Sequence, residues 1–385
     1  MEHRFISKRF WKDSSTAMSA SYALARQFDD VINLSLGDPD LITDSRITKA
    51  AMQDALDGHT KYTDFRGDPE LRAAIRDYYR EDLGLEIQDE EICVAVAVMA
   101  MNLALQACLD DGDEVIIPAP YYTQYPQQVE LARGVPVILD TFEDEDFQIN
   151  MERLESLITE KTKAIIINTP NNPTGNCFTE ETMNGIADIA KKHDLIVISD
   201  EIYTLYCYER PFMSMLHVEG MKERTIVINS YSKDYTMTGW RVGQIVAPPF
   251  IIDVIRQISE KLIFTLPSVS QRAALHAIRN RKEIQPPMRE EYKRRVFYAA
   301  ERINKIPNMS VLNPKGTFYL FFNIKKTGLT SAEVADKILR EAHVLVLPGS
   351  AFGACGEGYI RLCCTVGIDK LEEAFNRIEK MDIFK

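Results

Sequence analysis

Thr225-Ile226-Val227-Ile228-Asn229-Ser230-Tyr231-Ser232-Lys233 is a run of β-branched and aliphatic residues that stops at hydroxyls and an amine. Two upstream runs end in the same way. Ala164-Ile165-Ile166-Ile167 leads into Asn168-Thr169-Pro170-Asn171-Asn172-Pro173-Thr174-Gly175, and Leu195-Ile196-Val197-Ile198-Ser199 leads into Asp200-Glu201-Ile202-Tyr203. Continuous apolar runs, rather than alternating ones, fit strands covered on both faces. The runs at 115–117 and 135–139 repeat the pattern. Helical segments lie between them: 69–83, with Asp68 as N-cap, Pro69 in the first turn and Gly84 as stop; about 98–109; and a third capped by Thr179 that ends near His193. This alternation predicts an α/β fold with a mostly parallel central sheet flanked by helices.

The pattern changes near residue 284. Gln285-Pro286-Pro287 punctuates the chain, and a charged amphipathic helix is expected over 288–306. A strand pair (309–312 and 317–324), a helix from Ser331 and short strands near 344–347 and 359–363 follow. We therefore expect a large domain over 44–283 and a smaller α+β domain over 284–385, with residues 1–43 packing against the smaller one.

The chain has 385 residues, 45% of them hydrophobic, and a net charge of −12. That composition supports a folded core and makes nucleic acid or an anionic membrane a poor partner. No apolar stretch is long enough for a membrane helix, and the N-terminus lacks an apolar signal core, so a cytoplasmic location is expected. The seven cysteines are scattered and read as reduced thiols, mostly in the core; the six histidines form no metal-binding spacing, and no metal is expected.

In an open parallel sheet, ligands bind beyond the carboxyl ends of the strands. A carboxylate, a lysine, hydroxyls and the arginine of Gly239-Trp240-Arg241-Val242-Gly243 converge on that rim. This set suits an anionic, phosphate-bearing cofactor whose carbonyl a lysine can hold.

These blocks, in this order, resemble the class I/II aminotransferases, fold type I enzymes that use pyridoxal 5′-phosphate (PLP). The likeness runs from Asn33-Leu34-Ser35-Leu36-Gly37-Asp38-Pro39 to Tyr359-Ile360-Arg361. The resemblance implies a role for each matching residue. Lys233 is the Schiff-base lysine and proton shuttle. Asp200 keeps the pyridine nitrogen protonated. Tyr203 and Asn172 bond the phenolic oxygen. Ser230, Ser232 and Arg241 bind the phosphate, together with backbone amides of Ala97 and Val98. Tyr122 stacks on the ring. Arg361 grips the substrate α-carboxylate, with the Gly37 backbone close by. Tyr62 reaches the phosphate of a neighbouring subunit, which implies a homodimer. The implied reaction is ping-pong transfer of an amino group from an L-amino acid to a 2-oxo acid, with 2-oxoglutarate as acceptor; the donor stays open between aspartate, aromatic and aliphatic amino acids.

Two other readings use the same residues. One is a PLP-dependent carbon–sulfur β-lyase, although Asn171-Asn172-Pro173-Thr174-Gly175 looks more like an aminotransferase. The other is a non-catalytic aminotransferase-like binding protein. Its only support is the stretch Val94-Ala95-Val96-Ala97-Val98-Met99, where the family usually has a hydroxyl and glycines around the phosphate. With Val96 in a glycine's place, weaker PLP retention is expected.

Overall fold

In the computed structural model, which describes residues 3–11 and 24–385, the apolar runs become strands. In chain order these are β1 (Ile32–Asn33), β2 (Ile92–Ala95), β3 (Glu114–Ala119), β4 (Val135–Asp140), β5 (Thr162–Asn168), β6 (Ile196–Asp200), β7 (Thr225–Ser230), β8 (Gly243–Val246), β9 (Tyr319–Asn323), β10 (Val344–Leu345), β11 (Leu347–Pro348) and β12 (Tyr359–Cys363). The large sheet has the order β2-β8-β7-β6-β5-β3-β4. It is parallel except for β8, which runs against both β2 and β7. Every residue of β7 is buried, as the composition of that run demands. Two apolar clusters form around the sheet: one joins Ile198, Ile226 and Ile228 to the helix Ala97–Cys108, the other joins Ile165, Ile167 and Val197 to the helix Glu180–Lys192. The fold is thus the expected α/β arrangement.

The run at 135–139 departs from its reading. It forms β4, an edge strand, with Val135 and Ile138 partly exposed. One side of an edge strand has no neighbour to cover it.

The second sheet, β11-β12-β9, is antiparallel. It shares a core with the helix Arg281–Lys305, the helix Ser331–Ala342 and the helix Ile368–Ile378. Ile32 and Leu34 belong to the same core, and β1 pairs in parallel with β10.

The helix expected at 288–306 starts earlier, at Arg281, and runs through Pro286 and Pro287. Both prolines sit on its exposed face, so the carbonyls of Lys282 and Glu283, which lose their amide donors, face water. Arg281 anchors this end from within, pairing with Glu81 at 2.7 Å and Asp82 at 2.7 Å. The segment 309–312 is no strand; it contributes a single bridge, Ser310 to Asn323.

Candidate active site

The carboxyl ends of β5, β6 and β7 lie side by side, with Asn168 in register with Asp200 and Asp200 with Ile228. Asn168 organises this rim. Its Nδ2 donates to the Asp200 carbonyl at 2.9 Å, and its Oδ1 accepts the Asn172 amide at 2.8 Å. The chain leaves β7 through Ser230, whose hydroxyl accepts the Ser232 amide at 3.1 Å and starts the short helix Tyr231–Asp234. That turn aims Lys233 back across the rim, where its Nζ donates to the carbonyl of Gly37.

Lys233, Asp200, Tyr203, Asn172, Ser230 and Ser232 line one cavity of about 400 Å³. Arg241, Tyr122, Ala97, Val98, Gly37 and Arg361 line it as well. Tyr62 does not: it is 81% exposed and packs edge-on against Phe264.

Burial sets the electrostatics. It pushes the Lys233 amine down to about 8, because the ammonium loses its hydration. It pushes the Asp200 carboxyl up to about 6, against the pull of the Tyr125 hydroxyl, which donates to Asp200 Oδ2 at 2.5 Å. The other carboxylate oxygen, Oδ1, is buried with no partner. Tyr203 is held well above the ordinary phenol range by burial and then by Tyr319, so it stays a hydroxyl; the two hydroxyls are 3.1 Å apart. Arg361 is almost fully buried. Its guanidinium donates to Asn172 Oδ1 at 3.1 Å and to the Ser35 carbonyl, and lies 4.7 Å from the Tyr319 ring and 4.8 Å from the Phe352 ring. Arg241 donates to the Thr238 carbonyl at 2.6 Å.

One expectation needs revision. Val96 is the N-cap of the helix Ala97–Cys108, at φ −71°, which any residue adopts. The conformational argument against valine there fails; only the missing hydroxyl remains. Gly37 carries a further constraint, since a Cβ there would lie 1.8 Å from Tyr319 Oη. Tyr125 and Tyr319 were not anticipated. Tyr125 opens the helix Tyr125–Leu131 three residues after Tyr122, an aromatic spacing visible in the sequence. Tyr319 arrives from the other sheet, and nothing local announces it.

A family model, Aminotransferase class I and II, matches residues 29–378. The chain belongs to this family. It is 42% identical to the aspartate aminotransferase of Pyrococcus abyssi over 366 residues, covering 94% of each chain. It is 38% identical to the aromatic-amino-acid aminotransferase 2 of Thermococcus litoralis over 366 residues, again 94% of each. Its fold superposes on the structure of aspartate aminotransferase from Thermus thermophilus with maleate at a TM-score of 0.93, with 33% identity, covering 98% of this chain and 100% of that one. The protein is a PLP-dependent aminotransferase that transfers amino groups between small molecules.

The cavity fits that cofactor. The unpartnered Asp200 Oδ1 is an acceptor waiting for a donor such as a protonated ring nitrogen. Lys233 supplies an amine partly unprotonated near neutral pH, and Ser230, Ser232 and Arg241 bring to the same cavity donors of the kind a phosphate accepts from. Among the described residues, no helix is long and apolar enough to cross a membrane, and no group of three or more His, Cys, Asp or Glu is placed to hold a metal ion.

Proposed function

We propose that this aminotransferase acts in the cytoplasm as a homodimer and takes its amino group from an L-amino acid, with 2-oxoglutarate as the acceptor. The supporting observation is the convergence of Lys233, the orphaned oxygen of Asp200 and the caged Arg361 on one cavity. Bound PLP supplies an electron-accepting ring into which negative charge from the substrate α-carbon can spread.

The residues do the rest. Arg361 holds the substrate α-carboxylate through its fork of donors, and its cage of Asn172, Ser35, Tyr319 and Phe352 fixes the guanidinium before substrate arrives. With PLP bound, Lys233 Nζ would hold the cofactor through its amine and, once freed, would take the proton from the substrate α-carbon and pass it on within the cavity. Its lowered proton affinity suits both tasks, because a free amine must be present near neutral pH. Asp200, ionised above about 6, keeps a proton on the ring nitrogen. Tyr203 and Asn172 would donate to the cofactor's phenolic oxygen. Ser230, Ser232, Arg241 and the first amides of the helix from Ala97 to Cys108 would hold the phosphate, while Tyr122 would cover the ring and Gly37 would leave room at the substrate carboxylate.

Tyr62 completes the neighbouring site in this proposal. Its exposure in the single chain and its absence from the lining of its own cavity support that assignment. The test has two arms. A panel of amino donors with 2-oxoglutarate, read as glutamate formed, gives the reaction and its donor; no glutamate from any donor overturns the acceptor. Mixing Tyr62→Ala and Lys233→Ala chains restores one intact site per hybrid dimer if Tyr62 acts across the interface, and restores nothing if it acts within its own chain.

A further inference from the structure

Behind the active site, Cys207 stands opposite Gly316 in a short antiparallel bridge. The Thr317 amide donates to the Tyr206 carbonyl at 2.8 Å, and the Tyr208 amide donates to the Lys315 carbonyl at 2.9 Å. These flanking bonds make Cys207 and Gly316 a non-hydrogen-bonded pair, the type whose side-chain directions lie closest on one face. Gly316 puts nothing there. The space is taken by Cys177, whose Sγ lies 2.8 Å from where a Cβ of Gly316 would be. Cys177 Sγ also donates to the Lys315 carbonyl at 3.6 Å. Two thiols from distant parts of the chain therefore meet over a bare glycine.

Both residues are buried, and Cys207 is also among the residues lining a surface cleft of about 290 Å³ beside Arg210 and Arg289. The surroundings give a bond here a consequence. Cys177 follows the turn that carries Asn172, the partner of Arg361. Cys207 follows Tyr203 and Tyr206, and the Tyr206 hydroxyl donates to the Lys233 carbonyl at 3.0 Å. Lys315 and Gly316, which lead to Tyr319, pass beneath both sulfurs.

We propose that Cys177 and Cys207 form a reversible disulfide on exposure to a hydroperoxide, fastening the Asn172 turn to the Tyr203–Tyr206 segment across Lys315 and Gly316. The Cys207 thiolate attacks the outer peroxide oxygen; the O–O bond breaks, and the leaving oxygen departs as an alcohol or water after taking a proton. The resulting sulfenic acid is attacked by Cys177; the S–O bond breaks, and water leaves with the thiol proton. Two thiols thus lose two electrons and two protons, and the peroxide gains them. A dithiol reverses the change by exchange. The hydrogen bond with Cys177, and then burial, hold the Cys207 thiol well above its usual range, so thiolate is scarce at neutral pH and the bridge records sustained rather than brief exposure.

The test uses the full chain, reduced and then treated with hydrogen peroxide, with free thiols alkylated under denaturing conditions and peptides mapped by mass. The expected product is a Cys177–Cys207 linked peptide pair, two hydrogens lighter than the free thiols and separated again by dithiothreitol. The melting temperature should rise on oxidation and fall back on reduction, because the bond constrains the unfolded chain. Cys177→Ser and Cys207→Ser should each lose both the linked pair and the rise, whereas Cys108→Ser keeps them. Full alkylation of both thiols after peroxide, sulfinic acid at Cys207 without a linked pair, or a bridge between other cysteines overturns the proposal. So does a rise that persists in the serine variants. Mapping the unmodified chain decides the matter even if a variant fails to fold.

Discussion

Replacing Tyr125 with phenylalanine removes one oxygen and keeps the ring that packs edge-on against Tyr122. That oxygen is the donor to Asp200 Oδ2, at 2.5 Å, and both groups are buried. A hydrogen bond to a charged group is worth about 1.5–3 kcal/mol, which corresponds to about a 10- to 100-fold change in proton affinity. The Asp200 carboxyl stands at about 6 with this bond in place. Without it, and with Oδ1 already unpartnered, Asp200 is mostly protonated at neutral pH in the free site and holds a charged ring nitrogen less well. Tyr125→Phe should therefore lower kcat by about 10-fold or more, and should move the acidic limb of the kcat profile to higher pH by the same proton-affinity factor. KM for the amino donor should change little, because Arg361 and its cage do not touch Tyr125. Steady-state kinetics across pH 5–9 on the PLP-loaded enzyme reads all three quantities. An unmoved acidic limb with wild-type kcat would refute the reasoning, since Asp200 would then be tuned by something other than this hydroxyl.

Arg361→Lys leaves a charge but loses the planar fork and the Asn172 contact; kcat/KM for the donor should drop by about 30-fold or more, roughly 2 kcal/mol, with the cofactor absorbance intact. Val98→Ser, which adds a hydroxyl to the cavity wall at the start of the helix Ala97–Cys108, should tighten PLP binding in equilibrium dialysis, whereas Val96→Gly should not, because φ −71° at that position already suits valine. Burial raises Asp200 to about 6 and Glu201 and Asp234 each to about 7 in the folded chain. A carboxyl raised on folding contributes stability that is full below its unfolded value and is lost as pH climbs through the folded one. The melting temperature of the cofactor-free protein should therefore fall between pH 5.5 and 7.5, short of the range where Lys233 titrates; calorimetry showing a rise would contradict this burial account.

The parts of the site legible in the sequence are those whose residues sit at strand ends inside short motifs. Asp200 and Lys233 could be placed because an apolar run stops just before each, and a parallel sheet delivers all such ends to one rim. Asn172 and Arg361 followed from motifs whose order matched a family. Tyr319 was not legible, since it reaches the cavity only through packing of the second sheet against the first. Asn168 was in view as the end of a run, but its role in bonding both Asp200 and Asn172 depends on register between strands. The fold was readable for the same reason and failed where context overrides local signals. Pro286 and Pro287 looked like a helix boundary, yet the solvent-facing side of a helix tolerates them when Arg281, Ile284 and Met288 hold the other side. Val135 to Asp140 has the composition of a central strand, but its place in the sheet order leaves it at the edge. The antiparallel β8 is short and merges with the Gly239–Gly243 block, so no separate apolar run marked it.

The account turns on which amine carries the cofactor. Protein incubated with PLP, reduced with borohydride and digested should yield a pyridoxyl group on the peptide containing Lys233, and Lys233→Ala should yield none. A pyridoxyl group on a different lysine, or an unlabelled digest from protein that binds PLP, would contradict it.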